Sequence, residues 1–259
     1  MHLRDGQAIY VYGFCHLNAR LPEAEFGSQP GQPRVEAIKV GRICVIASFV
    51  SRQDFEGEQA EANLKDPLWL TPRLYNHALV LEKAIDAGGA VYPVGFGTLF
   101  SSVDALKDAL IKLEPTIRAQ LDRIEGCEEW ALDIEMDEDQ ALDMMLQEGV
   151  SRGDLILSPS LGRRHLEMQR YRSELRQRLP IWLAQHLRAL REALGDGAEM
   201  WSERQVKPGK VANWAFLVRK ENIARFKIQI DATQPGERVW GLSLRLTGPW
   251  PAYSFCDAR

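Results

Sequence analysis

The run Leu244-Arg-Leu-Thr-Gly-Pro-Trp-Pro-Ala-Tyr-Ser-Phe255, near the C-terminus, is the stretch whose backbone is most restricted by its own residues. Apolar and polar residues alternate up to Leu246, which predicts a strand with one buried face. Gly248-Pro249 is expected to stop this strand, because proline donates no ladder hydrogen bond. The two prolines beside Trp250 favour an extended backbone. We therefore expect a stiff aromatic tail whose rings lie against its own domain or against a partner.

The composition is typical of a folded protein that has no membrane span. Of 259 residues, 45% are hydrophobic and 26% are charged, and the formal net charge is -4. This charge gives no overall attraction to nucleic acid. The longest apolar run, residues 43–50, is far shorter than the roughly 20 residues that a spanning helix needs. The N-terminal residues lack the apolar core of a signal peptide. We expect a cytoplasmic protein that binds neither nucleic acid nor membrane.

Residues 1–126 predict an N-terminal α+β domain. The expected elements are a strand over 8–17, a loop over 21–33, a hairpin over 35–50, a helix over about 71–88, a strand over 90–94 and a helix over 103–124. The first helix is expected to begin at Thr71, with Pro72 in its first turn. Its buried stripe is expected to be Leu74, Ala78, Leu81 and Ile85. Ser102 is the expected cap of the second helix.

Residues 127–259 predict a second domain that ends in the aromatic tail. The expected elements are a strand over 128–136, a short helix after Asp137, a long helix over 161–194, strands over 199–206 and 211–218, a helix over 221–232 and a strand over 238–246. Pro180 is expected to kink or divide the long helix. With the helical segment at about 160–195 set aside as an insertion, the order is β-α-β-β-α-β. This order is that of a ferredoxin-like domain.

The sequence predicts no catalytic, cofactor-binding or metal-binding residue. Gly95-Phe96-Gly97 follows a strand, but the third glycine of a dinucleotide-binding loop is missing. Asp133, Glu135 and Asp137 lie on one face of a predicted strand and in principle suit a cation. A solvated helix start explains this acidic stretch better. His77 lies beside the buried stripe of its helix, and a packed, hydrogen-bonded histidine is favoured over a catalytic base.

Two surfaces remain as candidates for partner binding, the aromatic tail and the long helix. Arginines lie mostly off the apolar stripe of this helix. They allow three interpretations: a solvated face, a protein-docking or self-association element, or a nucleic-acid contact. The acidic balance of the protein and the lack of interleaved aromatic residues weigh against nucleic acid.

Four stretches resemble one family in the same order and over nearly the whole chain. The ending Leu-Thr-Gly-Pro-Trp-Pro-Ala-Tyr-Ser-Phe is similar to the motif that closes gas vesicle proteins of the GvpL/GvpF family. Residues 91–100 resemble the central PVRFGTVF motif of that family, and residues 9–13 and 213–218 agree with it too. The resemblance implies an N-terminal α+β domain and a C-terminal ferredoxin-like domain with helical additions.

The resemblance also implies a function. Family members are accessory proteins that bind the hydrophobic shell subunit GvpA and help nucleate or build the gas vesicle, so this chain is expected to be a non-enzymatic assembly protein. Its expected partners are GvpA and other gas vesicle accessory proteins, and its expected location is the cytoplasm and the gas vesicle. The candidate partner-binding residues are Phe96, Phe100, Arg164, Arg172, Arg176, Trp250, Tyr253 and Phe255.

The chain departs from the family motif at Gly95, where the family usually has arginine. If that arginine normally contacts a partner, this chain lacks the contact, which puts the partner or the role in doubt. The alternative hypothesis is therefore a ferredoxin-like small-molecule sensor or enzyme domain that diverged from this family.

Overall fold

The computed structural model describes residues 4–19, 33–87 and 89–256. The chain divides into two compact units. The first contains residues 1–129 together with 249–259, and the second contains residues 130–248. The aromatic tail, which the sequence analysis placed with the second domain, therefore belongs to the first unit. Most of the loop expected over residues 21–33, and Gly88 at the end of the first predicted helix, lie outside the described residues.

The first unit is built on a five-stranded sheet. Its strands are β1 (Gln7–His16), β2 (Val35–Val40), β3 (Ile43–Ser51), β4 (Val91–Pro93) and β5 (Leu99–Phe100). The order is β2-β3-β1-β4, and β5 also pairs with β1. All the pairings are antiparallel. The hairpin predicted around Gly41 is confirmed: β2 and β3 pair there, and Gly41 has φ +57°, a conformation that glycine adopts without strain.

The described residues of the first unit also form three α-helices. They are α1 (Gly57–Lys65), α2 (Pro67–Asp86) and α3 (Val103–Ile124), and a short 3-10 helix covers Arg52–Asp54. The cap predicted for α3 is confirmed, since the Ser102 side chain accepts a hydrogen bond from Ala105 N at 3.0 Å. The side chains of α3 that face the core are Leu106, Leu110, Ile117, Leu121 and Ile124.

The start predicted for α2 was wrong by four residues. Asp66 caps this helix through a hydrogen bond from Leu68 N at 2.9 Å, and Pro67 occupies its first position. Pro72 therefore lies within the helix. The predicted buried stripe was correct at Leu81 but wrong at Leu74 and Ala78, which are exposed. The buried positions are His77, Val80, Leu81 and Ala84. The apolar face is thus rotated toward the histidine.

The second unit has the strand order of a ferredoxin-like domain, as predicted. Its elements are β6 (Cys127–Met136), α4 (Glu138–Arg152), α5 (Leu161–Gly195), β7 (Met200–Glu203), β8 (Ala212–Arg219), α6 (Ile223–Val239) and β9 (Leu242–Trp250). The sheet order is β7-β8-β6-β9. Strand β6 therefore lies between β8 and β9, the two strands that α6 connects, which is the split βαβ arrangement.

Helix α5 is one element of 35 residues, so Pro180, which was expected to kink or divide the helix, does not divide it. Its two halves pack in two different cores. Leu175 and Leu179 pack with buried residues of α4. Leu190 and Leu194 pack in the core of the sheet, where Phe216 and Phe226 are fully buried. The N-terminal half of α5 is therefore held by α4, and the C-terminal half by the sheet and α6.

The last strand, β9, ends at Trp250, four residues past its predicted end at Leu246. It continues through Gly248 and Pro249 to Trp250. Gly248 has φ +146°, which side-chain-bearing residues rarely adopt. This glycine lets the strand continue where we expected it to end.

Candidate functional site

A buried histidine joins helix α2 to strand β1, the segment after β4 and the aromatic tail. His77 is only 4% exposed. Its Nδ1 lies 2.7 Å from the Tyr10 hydroxyl, and its Nε2 lies 3.1 Å from the Val94 carbonyl oxygen and 3.2 Å from the Tyr253 hydroxyl. A carbonyl oxygen only accepts, so Nε2 carries the hydrogen, and Nδ1 accepts from Tyr10. The imidazole therefore links the tail to the core of the first unit.

The groups of this network are uncharged near neutral pH. Burial lowers the pKa of His77 to about 4, because the imidazolium would lose its hydration. Burial also raises the pKa of the Tyr10 hydroxyl above its usual value. Burial, and then the negative charge of Glu129, raise the pKa of Tyr253 to about 12. The packed, hydrogen-bonded role predicted for His77 is thus confirmed.

A buried carboxylate holds the next residue of the tail. Glu129 accepts hydrogen bonds from Ser254 N at 2.9 Å and from Ser254 Oγ at 2.8 Å. Its side chain is nearly inaccessible to water, as are the neighbouring Phe255 and Cys256. The sequence analysis missed Glu129, because an acidic residue in an alternating strand is ordinarily assigned to the solvent face. No signal in the sequence pairs it with a serine 125 positions later.

The three predicted tail aromatics have different environments. Trp250 is 48% exposed at the end of β9, and Tyr253 is 43% exposed although its hydroxyl reaches His77. Phe255 is buried within the first unit. Two of the three rings therefore offer surface to a partner, and the third packs inside the protein.

The two phenylalanines predicted after β4 are both half-buried. Phe96 packs against the histidine network, with its ring centroid 5.9 Å from that of Tyr10 and 6.0 Å from that of His77. Phe100 lies in β5 opposite Ile9 of β1. The structure thus brings Phe96 and Tyr253 to the same histidine.

The predicted arginines of α5 interact within the second unit. Arg172 pairs with Asp139 at 2.9 Å and also with Asp143, and Arg176 pairs with Glu138 at 2.8 Å. Arg164 Nε donates to the Ser158 carbonyl oxygen at 3.2 Å. The acidic first turns of α4 and the basic face of α5 therefore hold the two helices together.

The acidic residues of the second unit have structural roles. Asp137 caps α4 by accepting a hydrogen bond from Gln140 N at 3.0 Å. Asp133 pairs with Lys210 and, at 3.2 Å, with Arg245, and these cations lower its pKa despite the opposing effect of burial. Among the residues that the structure describes, no three Asp, Glu, His or Cys side chains converge to form a metal site.

Fold and site together define a two-unit α+β protein whose distinctive feature is an anchored aromatic tail. The family model for gas vesicle synthesis proteins GvpL/GvpF matches residues 8–257. The chain belongs to this family. It is 25% identical to "Gas vesicle protein L" of Streptomyces sp. (strain CB03234), over 95% of this chain and 91% of that protein. It is 27% identical to "Gas vesicle protein L2" of Halobacterium salinarum, over 70% of each.

Two solved structures share the fold. The crystal structure of the gas vesicle protein GvpF from Anabaena sp. PCC7120 matches with a TM-score of 0.72 at 18% identity, over 98% of this chain and 97% of that chain. GvpF from Microcystis aeruginosa matches with a TM-score of 0.66 at 15% identity, over 96% and 99%. In the described part of the chain, the helices are all too short or too polar to cross a membrane. The family shows a gas vesicle-related role.

Proposed function

We propose that this protein is a non-enzymatic assembly factor that binds the hydrophobic shell subunit GvpA and helps nucleate or build the gas vesicle. The proposal includes contacts with other gas vesicle accessory proteins and a location in the cytoplasm and at the vesicle. The family membership supports the gas vesicle role. The observation that carries the proposed binding is the aromatic tail, which is anchored and yet presents two rings to the outside.

Anchoring makes the exposed rings suitable for binding. The Tyr253 hydroxyl reaches His77, and Ser254 makes two hydrogen bonds to Glu129, so the backbone between them is already ordered. When a partner docks on Trp250 and Tyr253, little conformational entropy is therefore lost, because this segment is already ordered before binding. Tryptophan and tyrosine are also the residues most enriched where interfaces gain their binding energy.

The other predicted contacts take secondary places in the proposal. Phe96 and Phe100 are half-buried and offer less surface than Trp250. Arg172 and Arg176 already pair with α4, so an acidic partner would exchange one ion pair for another. Such an exchange gains little free energy on an exposed surface. We therefore place Trp250 and Tyr253 at the centre of the contact.

The decisive experiment is co-expression of this protein with GvpA, followed by sedimentation and affinity pull-down. We expect the protein to keep GvpA in the soluble fraction and to co-purify with it. Trp250→Ala should lower the amount of GvpA that is recovered at least tenfold, because a central interface tryptophan contributes about 2 kcal/mol or more.

The matched control is Trp201→Ala, which removes a tryptophan of similar exposure, 41%, from β7 of the second unit. It should leave GvpA recovery close to that of the wild type. If Trp201→Ala abolishes recovery and Trp250→Ala does not, the contact lies on the second unit. If GvpA aggregates while the wild-type protein stays unbound, the proposed binding is wrong.

A further inference from the structure

The first unit contains a cavity of about 340 Å³ that includes neither Trp250 nor Tyr253, the proposed centre of the partner contact. Five aromatic residues line it, and the rings of three of them, Tyr10, Phe55 and Phe96, form one cluster. The ring centroids of Tyr10 and Phe55 lie 5.4 Å apart, those of Tyr10 and Phe96 5.9 Å, and those of Phe55 and Phe96 6.3 Å. These distances lie within the range of favourable aromatic contacts, so a further ring can join the cluster in a tilted or edge-on orientation.

The polar residues that line the cavity include one base, Arg73. Its guanidinium carbon lies 4.0 Å from the centroid of the Trp69 ring, and its Nη1 donates to the Trp69 carbonyl oxygen at 3.0 Å. Two contacts thus fix the guanidinium, and a guanidinium has five N–H donors in all. A fixed guanidinium suits a carboxylate, which it binds through charge-assisted hydrogen bonds.

The same lining includes one acid, Asp54, and one side-chain amide, Asn76. The backbone at Asp54 is held in place, because its carbonyl oxygen accepts from Asn63 Nδ2 at 2.9 Å. Asn76 Nδ2 donates to the Tyr12 hydroxyl at 3.4 Å. The cavity therefore combines an aromatic wall with one positive residue, one negative residue and neutral polar residues that include Asn76 and Ser51.

We propose that this cavity binds a free aromatic amino acid, with its ring among Tyr10, Phe55 and Phe96, its carboxylate on Arg73 and its ammonium on Asp54. The charges favour a zwitterion, since an anion alone would also face Asp54 and a cation alone would also face Arg73. The volume lies near the lower end of the range of about 300–1,000 Å³ for ligand sites, which suits one ring system and excludes a dinucleotide.

The test is isothermal titration of the purified full-length protein, without GvpA, with three probes of one ring. L-phenylalanine carries both charges, 2-phenylethylamine lacks the carboxylate and 3-phenylpropanoate lacks the ammonium. We expect L-phenylalanine to bind at least about tenfold more tightly than either analogue, because each analogue loses one charge-assisted contact. Binding by either analogue as tight as that of L-phenylalanine, or no heat from L-phenylalanine at millimolar concentration, overturns the proposal.

Two variants place the site. Arg73→Gln should weaken L-phenylalanine binding about tenfold, and its matched control is Arg170→Gln on the exposed face of α5. Ser51→Trp puts a bulky ring at an exposed residue of the cavity lining and should abolish binding, whereas Ser173→Trp on α5 should not. If Arg73→Gln does not fold, Ser51→Trp decides alone. Unchanged binding by Ser51→Trp refutes this location. None of these results bears on GvpA binding.

Discussion

Replacing His77 by glutamine should remove a pH dependence of stability from the first unit. The glutamine side chain has an acceptor for the Tyr10 hydroxyl and a donor for the Val94 carbonyl oxygen, so both hydrogen bonds of the imidazole have substitutes. It has no proton to gain between pH 7 and pH 4. The difference between the wild type and His77→Gln therefore isolates the titration of the imidazole.

The sign and size follow from the lowered pKa. The pKa of His77 is about 4 in the folded protein, against 6.5 for an unperturbed histidine. Between these values the unfolded chain binds more protons, so the free energy of unfolding falls as the pH decreases through this window. At pH 4.5 the loss relative to pH 7 is about 2 kcal/mol, and the limit well below pH 4 is about 3 kcal/mol. At pH 7 the imidazole is neutral in the folded protein and mostly neutral in the unfolded chain, so this loss is nearly absent.

Two measurements check this prediction. An NMR titration should give a midpoint near pH 4 for the His77 ring protons. Hydrogen exchange at the β1 amides should show that lowering the pH from 7 to 4.5 costs the wild type about 2 kcal/mol more than it costs His77→Gln. A midpoint above pH 6, or an equal loss in both proteins, would refute the reasoning.

Three further changes test the packing of the first unit. Glu129→Gln should cost about 1–3 kcal/mol, because the two hydrogen bonds of Ser254 to a buried carboxylate lose their charge assistance. It should also hasten proteolysis of the tail, which limited proteolysis measures. Gly95→Arg introduces the residue that is usual in the family. It should change the free energy of unfolding, measured by urea denaturation, by less than about 0.5 kcal/mol, because no atom lies within 4 Å of the added Cβ. Gly13→Ala should lower the free energy of unfolding by at least about 2 kcal/mol in the same assay, because its Cβ would lie 2.7 Å from the Tyr92 carbonyl oxygen. Equal urea midpoints for the Gly95 and Gly13 variants would contradict this prediction.

The parts of the fold that the sequence predicted are those that local patterns determine. Alternating residues predicted β6, the hairpin of β2 and β3 was marked by Gly41, and the cap of α3 was marked by Ser102. The order of elements then gave the ferredoxin-like topology, because few sheet arrangements connect β-α-β-β-α-β without crossing. These features depend on residues that are close together in the chain.

The errors arose where a signal was ambiguous within one turn of helix. Pro72 and Pro67 both suit a helix start, and Asp66 decided between them through its hydrogen bond to Leu68 N. At Pro180 the sequence predicts a kink or a division, but the buried leucines on both sides of it keep α5 undivided. Tertiary packing here outweighs the local cost of a proline.

The candidate site shows why composition alone does not separate a packed residue from a binding residue. Trp250 and Phe255 lie five positions apart in one aromatic segment, yet the first is half exposed and the second is buried. The difference comes from Glu129, whose carboxylate fixes Ser254 and directs the chain that follows into the first unit.

For charged residues too, composition alone does not distinguish a residue that is paired within the protein from one that is available to a partner. Arg172 and Arg176 have the composition of a docking face, but acidic residues of α4 form ion pairs with them. Asp143 lies twenty-nine positions from Arg172 in the sequence, and in the other ion pairs the two residues are more than thirty positions apart. A helix sequence shows which residues share a face, but it does not show which face another element covers. For this protein, the surface available to a partner is defined by pairs such as Arg172–Asp139 and Ser254–Glu129, which only the tertiary structure brings together.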